Sequence, residues 1–123
     1  PPAVAVPETS DETAVKDLLS KWRSAWAQRD VANYLGTYSK DFQPADGSSR
    51  GTWAASRARK VAEGAPITLD IHQLAFDRID NDHFKATFLQ DYAAGTYRET
   101  ARAKTLLIAR EGNEWRIIEE MQR

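Results

Sequence analysis

At Ile67 the spacing of apolar residues changes from a helical period to strict alternation, and this switch restricts the fold of the chain more than any other feature. Upstream of it, Val15, Leu18, Leu19, Trp22, Ala25 and Trp26 form one apolar stripe, with Lys16, Lys21, Arg23 and Arg29 lying off it. Thr9-Ser10-Asp11-Glu12 reads as a capping box at the start of that helix. Asp30 is placed to cap a second, shorter helix in which Val31, Tyr34, Leu35 and Tyr38 share a face. The turn-forming stretch Phe42 to Gly51 predicts a loop, after which Thr52 is expected to cap a third helix running to about Glu63, stopped by Gly64 and Pro66.

Downstream, Ile67, Leu69 and Ile71 alternate with Thr68, Asp70 and His72, and Asp80-Asn81-Asp82 supplies a hairpin turn. Phe84, Ala86, Phe88, Gln90 and Tyr92 alternate along the return strand, whose end Ala94-Gly95 can bend or bulge. A third strand is predicted over about Glu99 to Arg110, with Leu106 and Ile108 on one face and Thr105 and Leu107 on the other. Glu111-Gly112-Asn113 then turns the chain into a last strand, Trp115 to Met121. Helices grouped before strands predict an α+β fold in which helices cover one face of a mainly antiparallel sheet. The expected interior is Leu19, Trp22, Trp26, Tyr34, Leu35, Tyr38, Trp53, Ile67, Leu69, Ile71, Phe88, Leu106, Ile108, Trp115 and Ile117.

With 123 residues, 41% of them apolar, the chain can bury one core and would starve a second. Pro1 to Ser10 is rich in proline and small residues and is expected to be a linker from an upstream domain, with the folded domain over residues 11–123. Seventeen basic against eighteen acidic residues provide no global field for nucleic acid. No apolar run is long enough for membrane insertion. The absence of cysteine excludes disulfides, a thiolate nucleophile and sulfur-based zinc sites.

The element order, together with Trp22-x-x-x-Trp26, Asp30, Tyr34, Tyr38, the loop leading to Trp53, Phe88-x-Gln90-x-Tyr92, Lys104-x-Leu106 and Trp115-x-Ile117-x-x-Glu120, resembles the NTF2-like superfamily. Within it, the chain is most similar to the Cds6-like carboxy-terminal domain, with the DUF4440 and SnoaL-like groups as relatives. The resemblance covers about Glu12 to Met121 and implies a cone, helices on one side and a curved sheet on the other, enclosing a pocket. It also implies an accessory, non-catalytic module of an exported, periplasmic bacterial protein, appended to an L,D-transpeptidase or tetratricopeptide-repeat partner domain. Homodimerisation through the sheet is a further expectation. The alternative within the superfamily is a SnoaL-like isomerase, cyclase or hydrolase acting inside the cone.

A catalytic base must be buried and within reach of its proton. Asp70 and His72 lie on the strand face opposite Ile67, Leu69 and Ile71, His83 borders a turn, and Asp91 alternates away from Gln90 and Tyr92, so all four are expected at the surface and no catalytic residue is assigned. No phosphate loop or metal-ligand spacing is present, and no cofactor is expected.

The candidate ligand-binding residues are Arg50, Trp53, Arg57, Gln90, Tyr92 and Lys104. Gln90 and Tyr92 extend the apolar row of Phe88 with polar groups suited to the rim of a ligand site, or else Gln90 is a core amide satisfied by backbone. Lys104 shares a face with Leu106 and Ile108 and must reach water, a carboxylate such as Glu120, or an anionic ligand. Trp53 and Arg57 lie four apart on one helix face, where they can hold a carboxylate or sugar ring or simply pack together. The expected ligand is a small polar or anionic cell-envelope compound, with a protein partner as the other possibility, and Arg57→Ala is expected to weaken binding with little loss of fold.

Overall fold

The computed structural model describes residues 10–63 and 66–122. The expected linker up to residue 9, the capping Thr9 and the helix-stopping Gly64 lie outside them. Three helices, α1 (Ser10–Ala27), α2 (Val31–Gly36) and α3 (Arg50–Glu63), precede four strands, β1 (Ile67–Asp80), β2 (His83–Ala94), β3 (Tyr97–Glu111) and β4 (Glu114–Gln122). The strands form one antiparallel meander in the order β1-β2-β3-β4. No helix among the described residues is long and apolar enough to cross a membrane.

The helical stripe folds as its spacing requires. Val15, Leu18, Leu19, Trp22, Ala25 and Trp26 are the buried residues of α1. Asp30 caps α2, accepting a hydrogen bond from the backbone N–H of Asn33 at 3.2 Å. The cap of α3 differs from expectation. Ser49 fills that role, its Oγ accepting from the N–H of Thr52 at 3.1 Å, and the helix starts at Arg50, which leaves Thr52 inside the first turn. Between α2 and α3 the chain runs along the free edge of β4. The Ser39 N–H donates to the Ile117 carbonyl at 2.8 Å, and the Ile117 N–H donates to the Thr37 carbonyl at 2.9 Å. These bonds satisfy an edge that would otherwise present unpaired backbone groups.

The core lies between the helices and the concave sheet face. Twelve of the fifteen expected interior residues are buried, while Leu35, Ile67 and Ile71 pack at its margin. Phe42, Phe84, Ala86 and Val61 join them. Aromatic rings hold the layers together: Trp22 of α1 meets Phe88 of β2 with ring centroids 5.9 Å apart, and Trp26 meets Tyr92 at 5.2 Å.

Each of three strands carries an irregularity that reverses which residues face inward. On β1, Gln73 and Leu74 oppose the single residue Phe88 of β2, and Gln73 adopts a φ of 54°. Leu69 faces the core before this bulge, and Phe76 does so after it. On β3, Thr100 and Ala101 oppose Asp91, and Ala101 has a φ of 51°. On β4, Leu107 pairs with Glu119 and Ile108 with Ile117, leaving Ile118 as the extra residue. Bulges of this kind bend the strand and re-aim its side chains, and here they curve the sheet around the helices.

Burial distinguishes two leucines sharply. Leu106 is fully buried beneath the helices, whereas Leu74 on the β1 bulge is 44% exposed. Urea denaturation should show Leu106→Ala losing about 2–5 kcal/mol, and Leu74→Ala changing stability by no more than about 0.5 kcal/mol. Similar losses for the two would mean that the concave face is not the core.

Candidate functional site

Glu120 stands at the centre of a buried polar cluster. The β4 bulge brings it inward: a strict period of two from Trp115 and Ile117 would select Glu119, and the extra residue Ile118 moves the phase to Glu120. Tyr38 donates from its hydroxyl to Glu120 Oε1 at 2.6 Å, and Arg57 donates from Nη2 to Oε2 at 2.8 Å. Lys104 Nζ lies 3.7 Å from Oε1, close enough for an ion pair but beyond a hydrogen bond. Arg57 also donates to the Tyr34 hydroxyl at 2.7 Å, and Trp22 donates from Nε1 to the Tyr38 hydroxyl at 2.9 Å. The ammonium of Lys104 sits over the faces of Trp22 and Trp26, at 5.4 and 5.1 Å from their centroids.

The electrostatics follow from burial opposed by pairing. Burial alone would raise the pKa of Glu120, but the charges of Lys104 and Arg57 and the bonds from Tyr38 and Arg57 outweigh it and hold the carboxyl below its ordinary value. Burial pushes the ammonium of Lys104 down, with Glu120 opposing and Arg57 assisting. Burial likewise raises the phenol of Tyr34 to about 12 and keeps Tyr38 protonated, so both hydroxyls act as neutral hydrogen-bonding groups.

Beside this cluster is a cavity of about 150 Å³, lined in part by Trp26, Arg57, Gln90, Tyr92 and Lys104, with Lys60, Glu99 and Gln122 also at its wall. Four of the six residues singled out in the sequence therefore meet here. Tyr92 stacks on Trp26 with ring centroids 5.2 Å apart. Gln90 is fully buried, and neither its Nε2 nor its Oε1 has a hydrogen-bond partner among the described residues. Thus the backbone does not satisfy it. Arg50 and Trp53 are placed elsewhere: Arg50 donates from Nε to the Ser39 carbonyl at 2.7 Å, and Trp53 packs on Tyr38 and Phe42. The guanidinium of Arg57 lies over the Trp53 ring at 5.5 Å, so one side chain bridges that aromatic group to the cavity.

Arg57 has a structural duty that its helical spacing from Trp53 did not disclose. Truncating it would remove the donor to Glu120 Oε2 and one hydrogen bond to the Tyr34 hydroxyl, so Arg57→Ala should cost stability, contrary to the sequence expectation. Glu120 itself entered the sequence reading as part of the Trp115-x-Ile117-x-x-Glu120 motif and as a partner for Lys104, not as the centre of a cluster. Alternation alone could not choose between Glu119 and Glu120, because the phase after Ile117 depends on the bulge at Ile118.

The four surface candidates stay outside the cluster. His72 and Asp91 meet across β1 and β2, Nε2 to Oδ2 at 2.7 Å, and Asp91 accepts the N–H of Ala101 at 2.8 Å, which pins the β3 bulge. His83 contacts Asp80 in its own turn, and Asp70 lies 3.8 Å from Arg23. No group of His, Asp and Glu among the described residues could hold a metal ion.

Because the folded-state pKa of Glu120 is lowered, its ion pairs stabilise the fold above the unfolded carboxyl value and cease to do so as pH falls through the folded value. Glu120→Gln should therefore lose about 3–5 kcal/mol near neutral pH by stranding two buried cations. Denaturant melts from pH 7 to pH 3 should show a shallower acid loss for Glu120→Gln than for wild type. Equal slopes would show that Glu120 does not carry this pH dependence.

Comparison with known proteins matches this architecture. Bd1075 of Bdellovibrio bacteriovorus superposes with a TM-score of 0.79 at 21% identity, covering 90% of this chain and 39% of that one. The helical cell shape determining protein Pgp2 of Campylobacter jejuni superposes at 0.81 with 16% identity, covering 96% and 43%. An NTF2-like protein of Pseudomonas putida KT2440 superposes at 0.77 with 19% identity, covering 94% and 87%. At such identities the likeness is one of fold, and the chain spans about two fifths of the length of the first two proteins. No curated protein matches the sequence significantly. The model of the Cds6 C-terminal NTF2-like domain matches residues 14–121, from the second turn of α1 to the penultimate residue of β4, and the chain belongs to that family.

Proposed function

We propose that this domain is a non-catalytic accessory module of a larger exported bacterial protein, and that its cavity holds a small monoanionic ligand derived from the cell envelope. The observation that carries this reading is the charge balance of the buried cluster. Two cations, Arg57 and Lys104, face one buried carboxylate, Glu120. The other carboxylate at the cavity wall, Glu99, is already engaged by Arg102 at 3.4 Å and by the Gln122 amide at 2.8 Å. One positive charge is thus left in excess, and a buried excess charge favours a counter-charge of opposite sign. Lys104 is the group free to provide contacts, since its ammonium has three donors and only a distant ion pair. Trp26 and Tyr92 supply apolar wall. The cell-envelope origin is supported by the fold shared with Pgp2, whose role is the determination of helical cell shape.

The rival reading is an enzyme using a base in the cone. Glu120 is the inward carboxylate that such chemistry would need, yet its surroundings lower its proton affinity and occupy both oxygens. A general base near neutral pH requires the opposite tuning. Binding is therefore the better use of this geometry.

Lys104→Met tests the proposal. Removing the ammonium also takes a counter-charge from Glu120, so the thermal midpoint should fall while Arg57 and Tyr38 keep the protein folded, and binding of sugar-acid and muropeptide fragments, followed by calorimetric titration, should fall roughly ten- to a hundred-fold. Equal binding by wild type and Lys104→Met would remove the cavity from consideration, and no binding by wild type would favour a protein partner.

A protein partner has one observation in its favour. No helix among the described residues covers the convex sheet face, where Leu89 and Leu107 are only partly buried. If a second copy uses that face, sedimentation equilibrium should show a dimer that Leu107→Glu dissociates, and a monomeric wild type would exclude it.

A further inference from the structure

The excess charge accounts for an anion but not for Gln90. This side chain is fully buried at the cavity, and both its amide N–H₂ and its carbonyl lack partners among the described residues. Each buried polar group left unpaired costs about 1–3 kcal/mol, so the pair defines what an occupant gains by complementing it. A primary amide presents a donor and an acceptor side by side in one plane. Its full complement is an acceptor and a donor in the same arrangement.

This requirement separates chemical classes. A carboxylate offers only acceptors and would satisfy the Gln90 nitrogen while leaving the oxygen unpaired. An ordinary trans secondary amide carries its N–H and C=O on opposite sides and reaches one partner at a time. A lactam ring, in which the amide is cis, or a primary carboxamide presents both on one edge. The result does not depend on which of the two Gln90 terminal atoms is oxygen, because either orientation presents one donor and one acceptor. Trp26 and Tyr92, stacked on one another, also line the cavity, and the volume of about 150 Å³ confines the occupant to a small molecule.

Resting on the anion-binding reading above, we infer that the cavity selects small carboxylates that also carry a cis amide edge, either a lactam or a primary carboxamide, with Gln90 pairing to the amide and Lys104 to the carboxylate. Selectivity then resides in a neutral residue and affinity in a charged one.

Four carboxylates differing in the amide edge test this by calorimetric titration: pyroglutamate, a lactam; succinamate, a primary carboxamide; N-acetylglycine, a trans amide; and cyclopentanecarboxylate, which has no amide. Wild type should bind the first two about tenfold or more tighter than the last two, as one extra well-paired buried hydrogen bond provides. Gln90→Met, close in volume and unable to pair with the amide, should bring the four to similar affinity while raising the thermal midpoint. Gln90→Leu serves the same purpose if Gln90→Met does not fold. Equal affinities in wild type, or a preference that survives both substitutions, would overturn the inference. If the four bind equally and Lys104→Met abolishes binding, the anion site stands and the amide selectivity falls. If no carboxylate binds, including the sugar acids and muropeptides, both fall.

Discussion

The buried carboxylate of Glu120 is the interaction on which the arrangement of this domain depends. A carboxylate taken out of water must be neutralised and hydrogen-bonded, and here its partners come from three separate places: hydrogen bonds from Tyr38 after α2 and Arg57 in α3, and the ammonium of Lys104 in β3 as an ion pair. Satisfying one charge thus fixes where α3 lies, how the chain leaves α2 and which face of β3 turns inward. Tyr38 extends the network to Trp22 of α1, so every helix is tied to the sheet through one pair of oxygens. Such a cluster specifies a single packing more strictly than apolar contact alone, because any slip leaves a charge without its partner.

The same cluster is imperfect in two places, and both border the cavity. Lys104 is held away from hydrogen-bonding distance of Glu120, and Gln90 has no partner among the described residues. Away from the cavity, aromatic rings interlock and Asp30 and Ser49 cap their helices, and the one other buried atom among the described residues without a hydrogen-bond partner is Nη2 of Arg29. Local violations inside an otherwise consistent core are where function is expected, since the energy they cost can be recovered only when something binds. This reasoning separates Lys104 and Gln90 from Arg57, whose charge is fully used by Glu120 and Tyr34.

The sheet's irregularities explain how the two carboxylates reach the inner face, whereas Gln90 and Lys104 arrive there by plain alternation with Phe88 and Leu106. The β4 bulge at Ile118 moves Glu120 inward, and the β3 bulge at Ala101 lets Glu99 and Lys104 both face the cavity although their numbers differ in parity. Asp91, on the outer face, holds the second of these through the Ala101 N–H. A residue with no place in the cavity therefore helps to shape it.

Local pattern was enough to read the architecture. The change of period at Ile67, the stripe from Val15 to Trp26 and the turn residues at Asp80 and Gly112 gave three helices and an antiparallel meander, because amphipathic periodicity reports directly which face is buried. The pairing of Lys104 with Glu120 was legible too, as a lysine on an apolar face requires a counter-charge. Three things were decided only by tertiary structure. The phase of β4 after Ile117 depends on a bulge that side-chain alternation cannot reveal, so Glu120 as the centre of the cluster was hidden. Arg57 and Trp53 are neighbours on α3, but only the packing of α3 against Tyr34, Tyr38 and β4 directs one toward the cavity and the other into the core. Whether the amide of Gln90 is satisfied is a question about atoms distant in sequence, and the spacing of residues along one strand carries no information about them.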